Sequence, residues 1–297
     1  MPAVELTLVD LDQPALEGFR EFIGAWIVRG PDSALVVDPG PASTIPVLLD
    51  ALAAQGVRRL DGVLLTHIHI DHAGGAGLLL ERFPAARALC HSKGIPHLVD
   101  PEKLWRGSRK LLGKVAEAYG PIAPVPEDRI GFAENSRMGG LTVVAIDTPG
   151  HAAHHLCYQV GGVLFAGEVA GIGLDTPEGP YRRPATPPRF QYEVSRASLE
   201  AASAVPAHSV CLGHRGRVED PAPFFAAARD QLDHWVAVAR RHLEAGSAPW
   251  HEAVVAELLA TDPMFARRRT LAPDIQARES YFTGNALQGM REYLEAE

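Results

Sequence analysis

Residues 66–72 read Thr-His-Ile-His-Ile-Asp-His. Four of the seven, His67, His69, Asp71 and His72, carry lone pairs that a divalent metal can use. Imidazole nitrogen and carboxylate oxygen suit zinc, iron or manganese. In extended backbone successive side chains alternate faces, so His67, His69 and Asp71 are expected to point one way and His72 another. One short loop can then offer ligands to two neighbouring metal positions. The apolar stretch 62–65 reads as a buried strand entering this cluster, and 74–83, closed by Pro84, as a helix leaving it.

The same construction recurs downstream. Residues 141–146, 163–165 and 209–212 read as apolar strands, each followed by a turn residue and a potential ligand. These ligands are His151 in Asp147-Thr148-Pro149-Gly150-His151, Glu168 in Phe165-Ala166-Gly167-Glu168, and His214 in Val210-Cys211-Leu212-Gly213-His214. Upstream, 25–28 and 34–37 are strands split by the turn Arg29-Gly30-Pro31-Asp32, and Asp38-Pro39-Gly40 ends the second. Residues 45–55 read as a helix stopped by Gly56, and 88–91 and 156–160 as further strands. Strands alternating with helices predict an α/β (α+β) fold of sheets covered by helices, each sheet burying one face against the other.

Residues 101–128 read as helical in part, then proline-rich, an excursion over the active-site face. Residues 171–192 hold five prolines and little regular pattern. A long ordered loop of this kind is often a lid or a binding loop. Tyr181, Arg182, Arg183 and Thr186 in it are candidates for substrate contact, Arg being suited to a carboxylate or phosphate. The alternative is a solvent-exposed loop.

From Asp220 the texture changes. Asp220 can cap a helix with Pro221 in its first turn, and Phe225, Leu232, Trp235, Val236, Ala239 and Leu243 recur at helical spacing until Gly246. A second helix is expected over 250–259 and a third over the last dozen residues. The chain thus divides into residues 1–218 and a C-terminal helical extension, 219–297. The aromatic residues Phe224, Phe225, Trp235 and Trp250 read as core; any stripe left over would make a homodimer interface.

With 297 residues, 46% of them hydrophobic, the chain is long enough for one large domain or two medium ones. Its 28 Lys and Arg against 36 Asp and Glu, net −8, and the lack of a basic groove argue against nucleic acid as partner. Cys90, Cys157 and Cys211 are far apart, odd in number and without a CxxC pair, which argues against a disulfide framework and fits a reducing compartment. The first ten residues have no basic start and no long apolar run, and no stretch of about 18 apolar residues exists to span a membrane. A cytoplasmic protein is expected. Of the 13 histidines, only those in the four motifs are read as ligands; the others, His154 among them, are read as structural or solvent-facing.

This set of motifs resembles the metallo-β-lactamase fold superfamily over roughly residues 20–216. The five family motifs occur in order: Asp38 in Val-Val-Asp-Pro-Gly, His67-x-His69-x-Asp71-His72, His151, Glu168 and His214. The resemblance implies a four-layer αβ/βα sandwich of two mixed β-sheets flanked by helices. It implies two divalent ions, zinc ahead of iron or manganese. His67, His69 and His151 would hold the first, and Asp71, His72 and His214 the second. The fourth-motif carboxylate would bridge them with a water or hydroxide. That position is usually Asp, and this chain has Glu168, one methylene longer. Either the backbone sits further back or Glu168 serves one metal only. Asp38 would support the metal loop, and His155, four residues after His151, would hydrogen-bond a ligand.

The activity so implied is a metal-dependent hydrolase in which a metal-bound hydroxide cleaves a small ester, thioester or lactone. Two divalent ions about 3.5–4 Å apart can deprotonate a shared water at neutral pH, and Asp71 is the catalytic carboxylate that would orient it and pass on its proton. An alternative from the same resemblance is a mononuclear non-haem iron oxidoreductase acting on persulfides, with two His and one carboxylate on one iron. A third is a binding protein that keeps the fold without the chemistry.

Overall fold

The computed structural model describes residues 4–297. The first sheet holds six strands in sequence order: β1 (Glu5–Asp10), β2 (Gly24–Arg29), β3 (Ala34–Val37), β4 (Gly62–Leu64), β5 (Arg87–Leu89) and β6 (Ile130–Gly131). β1, β2 and β3 are antiparallel neighbours, whereas β3 to β6 run parallel. The parallel half needs crossovers, supplied by α1 (Ile45–Ala54), α2 (Ile70–Ala73), α3 (Ala76–Arg82), α4 (Ile95–Val99), α5 (Glu102–Leu112) and α6 (Lys114–Tyr119).

The second sheet contains β7 (Asn135–Met138), β8 (Leu141–Asp147), β9 (Leu156–Val160) and β10 (Val163–Phe165). A separate hairpin, β11 (Ile172–Thr176) and β12 (Gly179–Arg183), follows. After α7 (Tyr192–Ser203), β13 (Ser209–Cys211) pairs parallel with β10, and β14 (Arg217–Val218) closes the edge. The chain ends in α8 (Pro221–Glu244), α9 (Trp250–Thr261), α10 (Pro263–Ala266) and α11 (Pro273–Ala296).

Three apolar clusters make the layers. Trp26, Val28, Leu35 and Leu64 of the first sheet meet Val143, Leu156, Tyr158 and Phe165 of the second. The opposite face of the first sheet, with Ile27, Val36 and Val63, packs on Leu48, Leu79 and Ala116 of its helices. The outer face of the second sheet, with Cys157, Leu164 and Val210, packs on Leu199, Trp235, Val254 and Leu287. The result is a four-layer αβ/βα sandwich, and the C-terminal helices share the core of its second sheet. Polar groups also cross between sheets: Trp26 Nε1 donates to the Leu212 carbonyl at 3.0 Å, and Tyr158 OH to that of Leu89 at 3.0 Å. The three cysteines are buried and unpaired, and burial pushes the Cys90 and Cys157 thiols up to about 12. Among the described residues, no helix is long and apolar enough to cross a membrane.

Four expectations need correction. Residues 171–192 are not an irregular loop, because the β11–β12 hairpin occupies their first half. Its two strands have no other neighbours, so Pro180 interrupts no interior ladder. β1 escaped notice, although exposed Glu5 and Thr7 alternate with Leu6 and Leu8, which turn to the space between the sheets, while Val9 faces the helix-covered side. Asp220 stands at the start of α8 but its side chain makes no cap hydrogen bond; the capping aspartate is Asp262, accepting from the Met264 and Phe265 amides at 3.0 Å. The last helix has 24 residues rather than a dozen, since Gly284 and Gly289 in its interior lower local propensity without ending it. Gly289 is there for packing. A Cβ would lie 2.2 Å from the Thr186 carbonyl oxygen.

Candidate metal centre

Every donor follows the end of a strand. Asp38 comes after β3, His67 after β4, His151 after β8, Glu168 after β10 and His214 after β13. The extended backbone assumed for residues 67–71 stops at His69, which is the N-cap of α2. Asp71 therefore sits in a helical turn beside His72 rather than on the face of His67 and His69. This turn sorts the donors into two groups: His67, His69, His151 and Glu168, and Asp71, His72 and His214. Within each, one ligand atom per residue lies within 4.8 Å of the others.

The hydrogen bonds decide which nitrogen each imidazole offers. Thr66 donates its amide (2.8 Å) and its hydroxyl (2.7 Å) to the Asp38 carboxylate. With its proton so used, Thr66 Oγ1 can only accept from His67 Nδ1, 3.0 Å away. His67 Nε2 is then a bare lone pair, and this buried atom has no hydrogen-bond partner. The other imidazoles are tied in the same manner. His72 Nδ1 faces Asp38 Oδ2 at 3.1 Å, His151 Nδ1 the Ala185 carbonyl at 3.1 Å, and His214 Nδ1 the Phe22 carbonyl at 3.2 Å. Oxygen acceptors on Nδ1 fix the tautomer and aim Nε2 inward. His69 instead presents Nδ1, 2.9 Å from His151 Nε2. Two nitrogen lone pairs at that distance repel unless a cation or a proton lies between them. Burial and the neighbouring imidazoles push His67 and His69 well below the usual histidine range, which keeps them as neutral donors. The residues present therefore fit divalent metal, with borderline-soft nitrogen and carboxylate ligands suited to zinc.

Glu168 is the hub. Its Oε1 lies 3.5 and 3.4 Å from Nε2 of His67 and His151, and 3.2 Å from Nε2 of both His72 and His214. One oxygen thus reaches both donor groups, despite the extra methylene. Burial would raise this carboxyl, but His151 and His214 hold it well below the usual carboxylate range. His72 is opposed by burial, yet Asp71, Asp38 and Glu168 raise it well above the ordinary imidazole value.

The backbone under Glu168 is also built for the purpose. Gly167 has φ of 51°, and a Cβ there would lie 2.3 Å from His155 Nε2. That nitrogen accepts from the Glu168 amide at 3.0 Å, while Nδ1 of the same ring faces Thr148 Oγ1 at 2.9 Å. His155 thus touches the backbone of Glu168 rather than a ligand ring. Burial pushes it down to about 3, so it stays a neutral acceptor. Gly213 packs on the Gly167 backbone and donates to its carbonyl at 2.8 Å, bringing Glu168 and His214 together. Gly167→Ala is expected to destabilise the fold by about 1–3 kcal/mol through the left-handed conformation. It should also weaken metal binding by about 10–100-fold by displacing the Glu168–His155 contact. Chemical denaturation and metal titration against a competing chelator check the two effects separately.

His69, Asp71, His151, Glu168 and His214 all open onto one cavity of about 540 Å³. Of the four residues expected to contact substrate, Arg183 and Thr186 line it. Tyr181 and Arg183, two apart on β12, both turn to Glu279 of α11, at 3.0 and 2.6 Å, while Arg182 pairs with Asp175 at 3.3 Å. The hairpin alternation, invisible in a stretch read as loop, decides this. Sequence reasoning missed Phe22, which stacks on His214 with ring centroids 4.3 Å apart, and the cavity wall from α11; the wall from α5 falls within the excursion 101–128 expected over this face. It also passed over His154, a cavity residue whose imidazole burial pushes down to about 4.

Two facing mixed sheets with seven converging nitrogen and carboxylate donors at their strand ends define an αβ/βα sandwich protein with a built site for divalent metal. The sequence profile of the metallo-beta-lactamase superfamily matches residues 20–214, and the chain belongs to that superfamily. It is 29% identical over 207 residues to a metallo-beta-lactamase fold-containing protein of Sulfurisphaera tokodaii, a match covering 67% of this chain and 75% of that one. It is 33% identical over 152 residues to the hydroxyacylglutathione hydrolase of Aeromonas salmonicida, covering 50% of this chain and 46% of the other. The chain thus spans about half the length of that enzyme. The crystal structure of an archaeal metallo-beta-lactamase superfamily protein from Sulfolobus tokodaii superposes with TM-score 0.71 at 22% identity, over 98% of this chain and 99% of that one.

Proposed function

We propose that this protein is a metal-dependent hydrolase that cleaves an ester, thioester or lactone, with two divalent ions, zinc by preference, held by His67, His69 and His151 on one side and Asp71, His72 and His214 on the other. The observation that carries this reading is the donor geometry. Four imidazoles are locked through Nδ1 with Nε2 facing one carboxylate oxygen of Glu168, at the floor of a cavity large enough for a small molecule. The similarity to hydroxyacylglutathione hydrolases supports the reaction class.

A bound pair of divalent ions supplies an ionised water at neutral pH and polarises the carbonyl of the substrate. The chain's own groups do the rest. Asp71 is the more exposed of the two site carboxylates and lines the cavity, so its free oxygen can take a proton from the attacking water and return it to the leaving group. Glu168, nearly enclosed, holds the two donor groups together rather than shuttling protons. Asp38, through Thr66 and His72, keeps one imidazole of each group in its metal-facing tautomer. The completeness of the second group, and the reach of Glu168 Oε1 to both, favour two ions over the single iron of an oxidoreductase.

Elemental analysis of purified protein, paired with a panel of esters, thioesters and lactones, tests this. Two equivalents of metal per chain and chelator-sensitive turnover are expected. Protein with both positions filled and no turnover anywhere on the panel would defeat the proposal.

A further inference from the structure

The cavity above the donors has a roof of unusual character. α5 buries none of its residues, although Leu104, Trp105, Ser108, Leu111 and Leu112 recur on one helical face, continued by Val115 of α6. An amphipathic helix ordinarily buries its apolar stripe in the core. This one packs Leu104, Trp105 and Leu112 only partly against the apolar cluster of the first sheet, turns Leu104, Leu111 and Leu112 to the cavity as well, and leaves Leu111 66% exposed. Opposite stand Phe22, Ile70, Tyr119 and, from α11, Phe282. The walls away from the donors are thus mainly hydrocarbon and aromatic. At the mouth the charges are of one sign. Lys93, Lys103 and Arg189 line the cavity and none takes part in a salt bridge among the described residues, in a chain of net charge −8. The acidic residues lining the cavity are Asp71 and Glu168, both at the metal centre.

We propose that the substrate is the ester or thioester of a medium-length straight apolar acyl chain joined to an anionic leaving group. This rests on the hydrolase reading above and specifies its substrate. The acyl chain lies under α5 against Leu104, Leu111 and Leu112, its carbonyl reaches the donor cluster, and the anionic portion faces Lys93, Lys103 and Arg189. Water attacks the acyl carbonyl and the carbon–oxygen or carbon–sulfur bond to the leaving group breaks. One proton of the water goes to the leaving oxygen or sulfur and the other is released to solvent, so the products are a fatty carboxylate, the neutral alcohol or thiol, and a proton. Burying each further methylene on such a wall strengthens transition-state and product binding alike.

Two measurements test it. Turnover of acyl esters of one anionic leaving group is followed from acetyl to decanoyl, with kcat/KM expected to rise about two- to fourfold per methylene between butyryl and octanoyl. Binding of butyrate, hexanoate and octanoate to the metal-loaded protein is measured by calorimetry, with the same gain in affinity and an increasingly negative heat-capacity change. Leu111→Asp, at a position too exposed to matter for folding, is expected to flatten both slopes. Val47→Asp, exposed on α1 and outside the cavity, is expected to leave them as they are. Equal turnover of acetyl and octanoyl esters, or slopes unmoved by Leu111→Asp, would overturn the acyl-chain assignment while the hydrolase reading stands. Chain-length-dependent carboxylate binding without turnover of any ester would support the apolar subsite and overturn the hydrolysis.

Discussion

His69→Ala is expected to abolish turnover and to remove metal from the first donor group while leaving the fold intact. His69 opposes His151 across 2.9 Å, nitrogen to nitrogen, with its ring facing the cavity rather than the core. Loss of a group that merely orients a ligand lowers metal affinity or activity by about 10–100-fold. Loss of a ligand itself must exceed that, since the remaining donors of the group can no longer close the coordination shell. Asp38→Asn serves as the graded comparison. It keeps the size of the side chain but weakens the contacts to Thr66 and His72, and should fall within the smaller range. Elemental analysis gives stoichiometry, and thermal unfolding of the chelated proteins reports the fold without its metal. Full metal content and full turnover in His69→Ala would show that the donors are grouped differently.

The second large effect arises in α11, at a residue that is not itself a metal donor. Glu279→Ala is expected to destabilise the protein by about 3–5 kcal/mol, because it strands buried positive charge, with a fall in Tm on the order of 10 °C. Glu279 is fully enclosed and accepts from Arg183 at 2.6 Å, Arg278 at 2.9 Å and the Tyr181 hydroxyl at 3.0 Å. Arg278 also donates to the Gly18 carbonyl at 2.7 Å and lies 4.1 Å over the Phe22 ring, and Phe22 in turn stacks on His214. The last helix is thereby tied to the metal centre by a chain of direct contacts, so metal affinity should fall along with stability.

The same cluster fixes a pH dependence. Burial would raise the Glu279 carboxyl, but Arg183 and Arg278 outweigh it and leave the group below its usual value of 4.5. A carboxyl with a depressed folded-state value contributes stability that is complete above its unfolded value and lost as pH falls through the folded one. The difference in unfolding free energy between the native protein and Glu279→Gln should therefore be largest near neutrality and shrink below about pH 4.5. Denaturant titrations at a series of pH values measure it. A difference that stays constant into acid would mean that the carboxylate charge is not what Arg183 and Arg278 require.

Much of the metal centre was legible in the sequence because its determinants are local. A short apolar run buries a strand, a glycine after it permits a tight turn, and the next residue is presented at the strand end. Gly167 and Gly213 do this for Glu168 and His214, and the crowding of Gly167 against His155 explains why no side chain is tolerated there. The sheet strands 34–37, 156–160 and 163–165 were read with their observed bounds, because continuous apolar runs flanked by turn residues admit few other structures. Reading failed where pattern was weak. The strands of the β11–β12 hairpin carry three charged residues and a proline, and the last helix carries two glycines, so neither advertised its type.

The residues able to bind metal, their order along the chain and the sandwich that gathers them were thus set by local chemistry and hydrophobic period. Contacts between distant segments decided the rest. The start of α2 at Ile70 turned Asp71 away from the face of His67 and His69, to which strand alternation alone would point it. Thr66 and Asp38 chose the nitrogen that His67 offers. Glu279, some two hundred residues from the first ligands, pairs with Tyr181 and Arg183. Each of these outcomes depends on which atom lies within about 3 Å of which, a quantity that periodicity does not carry and only the packed chain supplies.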